Sequence, residues 1–272
     1  MKLLNKVPEI TLYFWIIKIL ATTVGETGAD YLSSTLHLGL VITSYAMSAL
    51  FLVALIAQLR TKRYVAGVYW TVVVLISVVG TLVSDNLVDN LGVTLVVSSA
   101  LFAGCLAVVF FAWWMSERTL SVHSIATTKR ELFYWAAILF TFALGTSAGD
   151  LLSEASHLGY AVAALVFAGS IAITAIAYYR FKVDGVLAFW IAYILTRPLG
   201  ASLGDLLSQS HKNGGFGFGT MPTSVVFLIT IVGLVMYLTR TKADVIPDAI
   251  SQEMASPTLV VDVPMALGRA ET

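Results

Sequence analysis

Eight long apolar runs, separated by short polar breaks, divide the chain at about 10–33, 39–59, 66–88, 92–115, 131–153, 159–179, 186–208 and 221–239. Each matches the ~20 residues a helix needs to cross ~30 Å of hydrocarbon. The pattern predicts an all-α membrane protein of eight transmembrane helices. The polar breaks alternate in charge. One set holds Lys2, Lys6, Arg60, Lys62, Arg63, Arg118, Lys129, Arg130, Arg180, Lys182, Arg240 and Lys242; the other holds only Lys212. By the positive-inside rule both termini are cytoplasmic. Lys2 and Lys6 before an apolar run also imitate a signal peptide. That run carries the first copy of a repeat, so it reads as a retained first helix.

The repeat is tryptophan, nine residues, glycine, four residues, aspartate. Its copies are Trp15/Gly25/Asp30, Trp70/Gly80/Asp85, Trp135/Gly145/Asp150 and Trp190/Gly200/Asp205. Each unit holds two runs and predicts a helical hairpin, so all four units point the same way, as parallel repeats do. The halves, 1–120 and 121–240, superpose at an offset of 120 residues. Residues 241–272, with Pro247, Pro257 and Pro264, read as a disordered cytoplasmic tail.

Four residues after each glycine stands another small residue: Ala29, Ser84, Gly149 or Gly204. Such spacing lets helix backbones approach closely in lipid, so the glycines read as packing positions. The tryptophans fall near the basic ends, where an aromatic interface belt is expected. The aspartates lie about 22 Å further along the helix, near the opposite end.

Parallel repeats place Asp30, Asp85, Asp150 and Asp205 at one depth. If the odd helices share an axis, the four carboxylates form a ring, and such rings select cations. Crowded carboxylates share protons unless a cation compensates them, which links cation binding to proton release. Further polar residues gather in the same half. Glu26 sits one turn deeper; Asp89 and Glu154 follow their aspartates by four residues; His37 and His157 occur in matching His-Leu-Gly strings. Carboxylate with imidazole suits a divalent transition metal. A second reading stays open. The aspartates can instead fix the turns at the helix ends, with Ser33, Ser153 and Ser208 three residues on, which would make the chain a non-transporting scaffold or sensor.

Two cations interrupt apolar runs. Lys18, near the basic end, is expected to snorkel to the headgroups. Arg197, beside Pro198 and four residues below the level of Glu26 in the repeat frame, is expected to pair with Glu26 between helices one and seven. The glycine-rich stretch 211–220 reads as a linker.

Composition narrows the classes. Hydrophobic residues make up 58% and charged ones 12% of 272 residues, with zero formal net charge and a mean hydropathy of +0.87. A neutral chain argues against nucleic acid as a partner. The lone Cys105 excludes internal disulfides and cysteine metal sites. No nucleophile stands at credible spacing from a base and no cofactor motif occurs, so no enzyme is expected. Expected partners are the bilayer and a small cation, with a divalent metal ion as substrate or ligand. Oligomeric state leaves no mark in the pattern.

The fourfold pattern, the string Asn5-Lys6-Val7-Pro8-Glu9 and the run from Thr22 to Asp30 resemble a bacterial family of membrane-anchored proteins. Its members carry four tandem repeats of unknown function, each with two transmembrane segments and a characteristic tryptophan. The resemblance covers about residues 1–240. It implies this fold and a bacterial inner-membrane location, and implies no reaction.

Overall fold

The computed structural model describes residues 5–245, the side chain of Glu154 excepted. Residues 246–272, most of the expected tail, and Lys2 lie outside the described residues. Within them the chain is all-helical: α1 Leu12–Asp30, α2 Leu40–Arg60, α3 Ala66–Asp85, α4 Leu95–Glu117, α5 Thr128–Asp150, α6 Tyr160–Phe181, α7 Gly185–Ser208 and α8 Thr220–Thr241. Seven helices are long and apolar enough to cross a membrane, as in a multi-pass membrane protein. The other, α1, is 19 residues long and contains Lys18, Glu26 and Asp30.

The ends of the helices explain the breaks. The side chains of Thr11, Thr94, Thr127 and Asp184 accept hydrogen bonds from the first turns of α1, α4, α5 and α7, satisfying otherwise orphaned amides. The helices α4, α6 and α8 end at Arg118, Lys182 and Lys242, each in the left-handed region. These cations complement the negative ends of the helices.

Packing separates the helices into two rings. The inner helices α1, α3, α5 and α7 contact their neighbours in a closed circle, α7 returning to α1. The outer helices α2, α4, α6 and α8 expose apolar side chains. Each outer helix packs mainly on the inner helix of the following repeat: α2 on α3, α4 on α5, α6 on α7, and α8 on α1. The expected hairpins are therefore consecutive in the chain, but their two helices are not each other's main packing partners. Every repeat instead covers the next, and α8 closes the circle.

The signature glycines make the circle tight. A methyl group on Gly25 would meet Ser77; on Gly80, Phe142; on Gly145, Arg197; and on Gly200, Thr22, all at 1.8–2.4 Å. In each pair the partner lies three residues before the glycine of the next repeat. The inner helices are thus parallel and in register, and their backbones meet where no side chain intervenes. Gly200→Ala forces the α1 and α7 backbones apart and lowers the unfolding free energy by about 1–3 kcal/mol. Gly233→Ala, in open space on α8, leaves it unchanged. Thermal unfolding in detergent compares the two.

The signature tryptophans form a second circle. Phe14 packs on Trp70, Tyr69 on Trp135, Tyr134 on Trp190, and Phe189 on Trp15, with ring centroids 5.5–6.3 Å apart. Trp70, Trp135 and Trp190 are buried and Trp15 is half-buried, and the Trp190 indole donates to the Leu120 carbonyl at 3.0 Å. This corrects the expectation of an interface belt. Each tryptophan follows directly on an axis-facing aromatic residue, so its ring turns into the bundle and not toward headgroups.

Two further expectations change. Residues 242–245 belong to the folded body, since the Glu9 amide donates to the Asp244 carbonyl and the Tyr64 hydroxyl to the Asp244 carboxylate. The stretch 211–220 is no plain linker. The amides of Phe216, Gly217, Phe218 and Gly219 donate back to the carbonyls of Leu206, Gln209, Leu207 and Ser208, which closes the last turn of α7.

Candidate functional site

One face of each inner helix points to the axis. Counted from the repeat glycine, it comprises positions −11, −7, −3, +1 and +5, one helical turn apart. At −11 lie Phe14, Tyr69, Tyr134 and Phe189, with the Tyr69 and Tyr134 hydroxyls 2.5 Å apart. At −7 lie Lys18, Val73, Ile138 and Tyr193, and at −3 Thr22, Ser77, Phe142 and Arg197, all fully buried. Glu26, Thr81, Thr146 and Ala201 follow at +1, and the four aspartates at +5.

Arg197 crosses the axis. Its Nη2 donates to Glu26 Oε2 at 3.0 Å, to Thr146 Oγ1 at 2.6 Å and to the Thr81 hydroxyl. It thus reaches the +1 residue of all three other repeats. The pairing expected between helices one and seven is the geometry observed. Lys18 departs from expectation. It is fully buried, with its Nζ 4.4 Å from the Phe142 ring centroid and 4.3 Å from that of Tyr193. Snorkelling requires a lipid-facing position; Lys18 stands on the axial face, two turns below Glu26, and cation–π contacts replace solvent.

Above Arg197 the acids converge. Carboxylate oxygens of Glu26, Asp150 and Asp205 lie within 4.8 Å of one another. They come from α1, α5 and α7, hence from three repeats. Glu26 and Asp205 are buried and Asp150 half-buried. Asp85 lies within Coulombic range of Glu26, Asp150, Asp30 and Asp89. Asp30 accepts a long contact of 3.5 Å from Gln209 Nε2. The close group is the triad Glu26, Asp150 and Asp205; Asp30 and Asp85 stand outside it, so the four aspartates do not form a symmetric ring of ligands.

The remaining expected ligands stand apart. His37 and His157 are exposed, and both have φ of 55°. They close the turns that lead to Gly39 and Gly159, whose φ values of 75° and 77° open α2 and α6. Their matching strings record this turn geometry, which corrects their assignment as metal ligands. Asp89 is exposed. Glu154 sits on the corresponding turn, and its side chain lies outside the described residues.

One feature gave no signal in the sequence. After Asp30, Asp85 and Asp150 the helix widens into a π-helical turn at Tyr31–Thr35, Asn86–Asn90 and Leu151–Ala155. Amides there reach back five residues, as Leu36 to Tyr31, Leu91 to Asn86 and Ser156 to Leu151. Such turns concentrate at functional sites. Ser33 and Ser153 bond back to the carbonyls of Ala29 and Gly149 at 2.8 and 2.9 Å. The fourth repeat has no such turn and uses the 211–219 fold-back instead.

The architecture now defined is a closed circle of four covering repeats with a charged axis. The model of the family described as Repeat of Unknown Function (DUF347) matches four times, at residues 13–64, 68–119, 133–184 and 188–244. Each match begins two residues before a signature tryptophan. The chain belongs to this family. No curated protein and no solved structure shows significant similarity to it.

Proposed function

We propose that the chain is an integral membrane cation transporter whose substrate is a divalent metal ion. In this reading all eight α-helices span the bacterial inner membrane and both termini are cytoplasmic, following the excess of basic residues at one end. The observation that carries the proposal is the meeting of Glu26, Asp150 and Asp205 from three repeats within 4.8 Å. Intramembrane acids so arranged mark ion pathways.

The chemistry of the triad refines the ion. With both histidines outside the group, the donors are all carboxylate oxygens. That set suits hard cations such as manganese or magnesium better than zinc or copper. Arg197 and Lys18 lie directly below on the axis, followed by the Tyr69–Tyr134 layer. The buried Arg197 guanidinium opposes free cation leak along this line, which favours coupled exchange over an open pore. Protons shared among the crowded acids supply the counter-ion.

Purified protein in detergent, screened by thermal unfolding against Mn²⁺, Mg²⁺, Zn²⁺ and Na⁺, tests the site. Manganese at about a hundredfold excess over its Kd raises stability by ~2.7 kcal/mol, and sodium at equal ionic strength does not. Absence of any divalent-specific shift disposes of the proposal. It would leave the scaffold reading, which the turn-forming role of the residues after each aspartate favours.

A further inference from the structure

A second site lies at the basic end, at the opposite end of α3 from Asp85. There a cavity of about 250 Å³ is lined by Arg63, Tyr64, Val65, Ala66, Leu238, Thr239, Lys242, Asp244 and Val245. It opens between the start of α3 and the end of α8. Asp244 is 2% exposed. One carboxylate oxygen accepts the Tyr64 hydroxyl at 2.5 Å. The other, Oδ1, is buried and has no hydrogen-bond partner among the described residues. Burial holds the Asp244 carboxyl above the usual carboxylate range, with bonds from the Tyr64 hydroxyl and from its own backbone amide only partly offsetting it. A buried acceptor of this kind costs free energy until a donor reaches it. Arg63 and Lys242 are exposed and line the same cavity, but form no ion pair with Asp244 among the described residues.

The geometry points to a zwitterionic phospholipid headgroup of the phosphoethanolamine type as the occupant. A primary ammonium donates to Asp244 Oδ1 and a phosphate meets Arg63 and Lys242. The apolar lining of Val65, Leu238 and Val245 receives the glycerol and upper acyl carbons. The site stands just beyond the ends of α8 and α2, where the proposed orientation puts the cytoplasmic headgroups. Each feature excludes an alternative headgroup. A quaternary choline has no N–H to give Oδ1. A phosphoglycerol headgroup offers Oδ1 only neutral hydroxyls and has no ammonium to compensate the carboxylate. This inference is independent of the metal site.

Delipidated protein in detergent, titrated with phosphatidylethanolamine, phosphatidylcholine or phosphatidylglycerol, provides the test. The thermal midpoint rises with phosphatidylethanolamine and at least twice as much as with either other lipid. Asp244→Asn abolishes that preference, and Tyr64→Phe, which removes only the neighbouring hydroxyl, retains it. The double variant Arg63→Ala/Lys242→Ala, at exposed positions that tolerate change, reduces the shift at least twofold and decides the matter if Asp244→Asn fails to fold. Equal shifts with ethanolamine and choline lipids, or an undiminished shift in the double variant, overturn the proposal. So does an equal shift with soluble phosphoethanolamine, which would make the ligand a free metabolite and not a lipid.

Discussion

Asp150→Asn/Asp205→Asn abolishes manganese-dependent stabilisation and manganese flux in proteoliposomes while the protein still inserts and purifies. Two of three converging carboxylates lose their charge at almost constant volume. Single changes around metal sites commonly cost 10–100-fold in affinity, so loss of two donors weakens binding by more than about 100-fold. Asp85→Asn, acting only through the field it adds to the group, produces an intermediate loss. Asp89→Asn, exposed on its π-helical turn, has no effect. Flux that survives the double substitution would show that the triad is not on the path. A double variant that fails to insert would show the acids to be structural.

Arg197→Ala produces the largest loss of stability of any single polar substitution in the axis. It strands Glu26, which is 6% exposed, and deprives the Thr81 and Thr146 hydroxyls of their shared donor. Breaking a buried pair by removing one partner costs about 3–5 kcal/mol. The arginine stem also fills the space against Gly145, so a void adds to the cost. Three further variants separate charge from packing. Arg197→Met keeps the stem and loses the charge. Adding Glu26→Gln then restores most of the stability in the methionine background and only part of it in the alanine background. Thermal unfolding of the four variants measures this. No recovery in either double variant would mean that the pair contributes nothing to the fold.

Much of the fold was legible because membrane spans depend on length and hydropathy, which are local. Each of the eight runs became a helix within a few residues of its expected limits, and the spacing of glycine and small residues marked the close approaches. What lay beyond sequence was the azimuth of each helix. Lys18 and the tryptophans were assigned to lipid-facing roles by depth alone, yet Lys18 occupies the same axial stripe as Glu26 and Asp30, and each tryptophan adjoins it. The outer helices were expected beside their own inner partners, because a short connection favours neighbours; packing on the next repeat needs three-dimensional information. At the site, the convergence of acids followed from parallel repeats. Its composition followed only in part: Glu26 reads from the sequence as a deeper acid, but its place in the close group instead of Asp30 and Asp85 depends on how the helices are turned. The histidines misled for a different reason. Their recurrence came from left-handed backbone at φ of 55°, a demand of the turn that says nothing about metal.

The axial charges have a bearing on why four units share one polypeptide. An assembly of four identical two-helix subunits would obey strict rotational symmetry, and any residue chosen for the centre would appear there four times. Four guanidinium groups, or four lysines, would repel one another in a dry interior. Lys18, Arg197 and Glu26 each occur once per axis because each was free to change in one copy while Val73, Phe142 or Thr146 stood in another. Covalent fusion of the units is therefore the condition under which a polar, uneven core became compatible with a nearly regular shell.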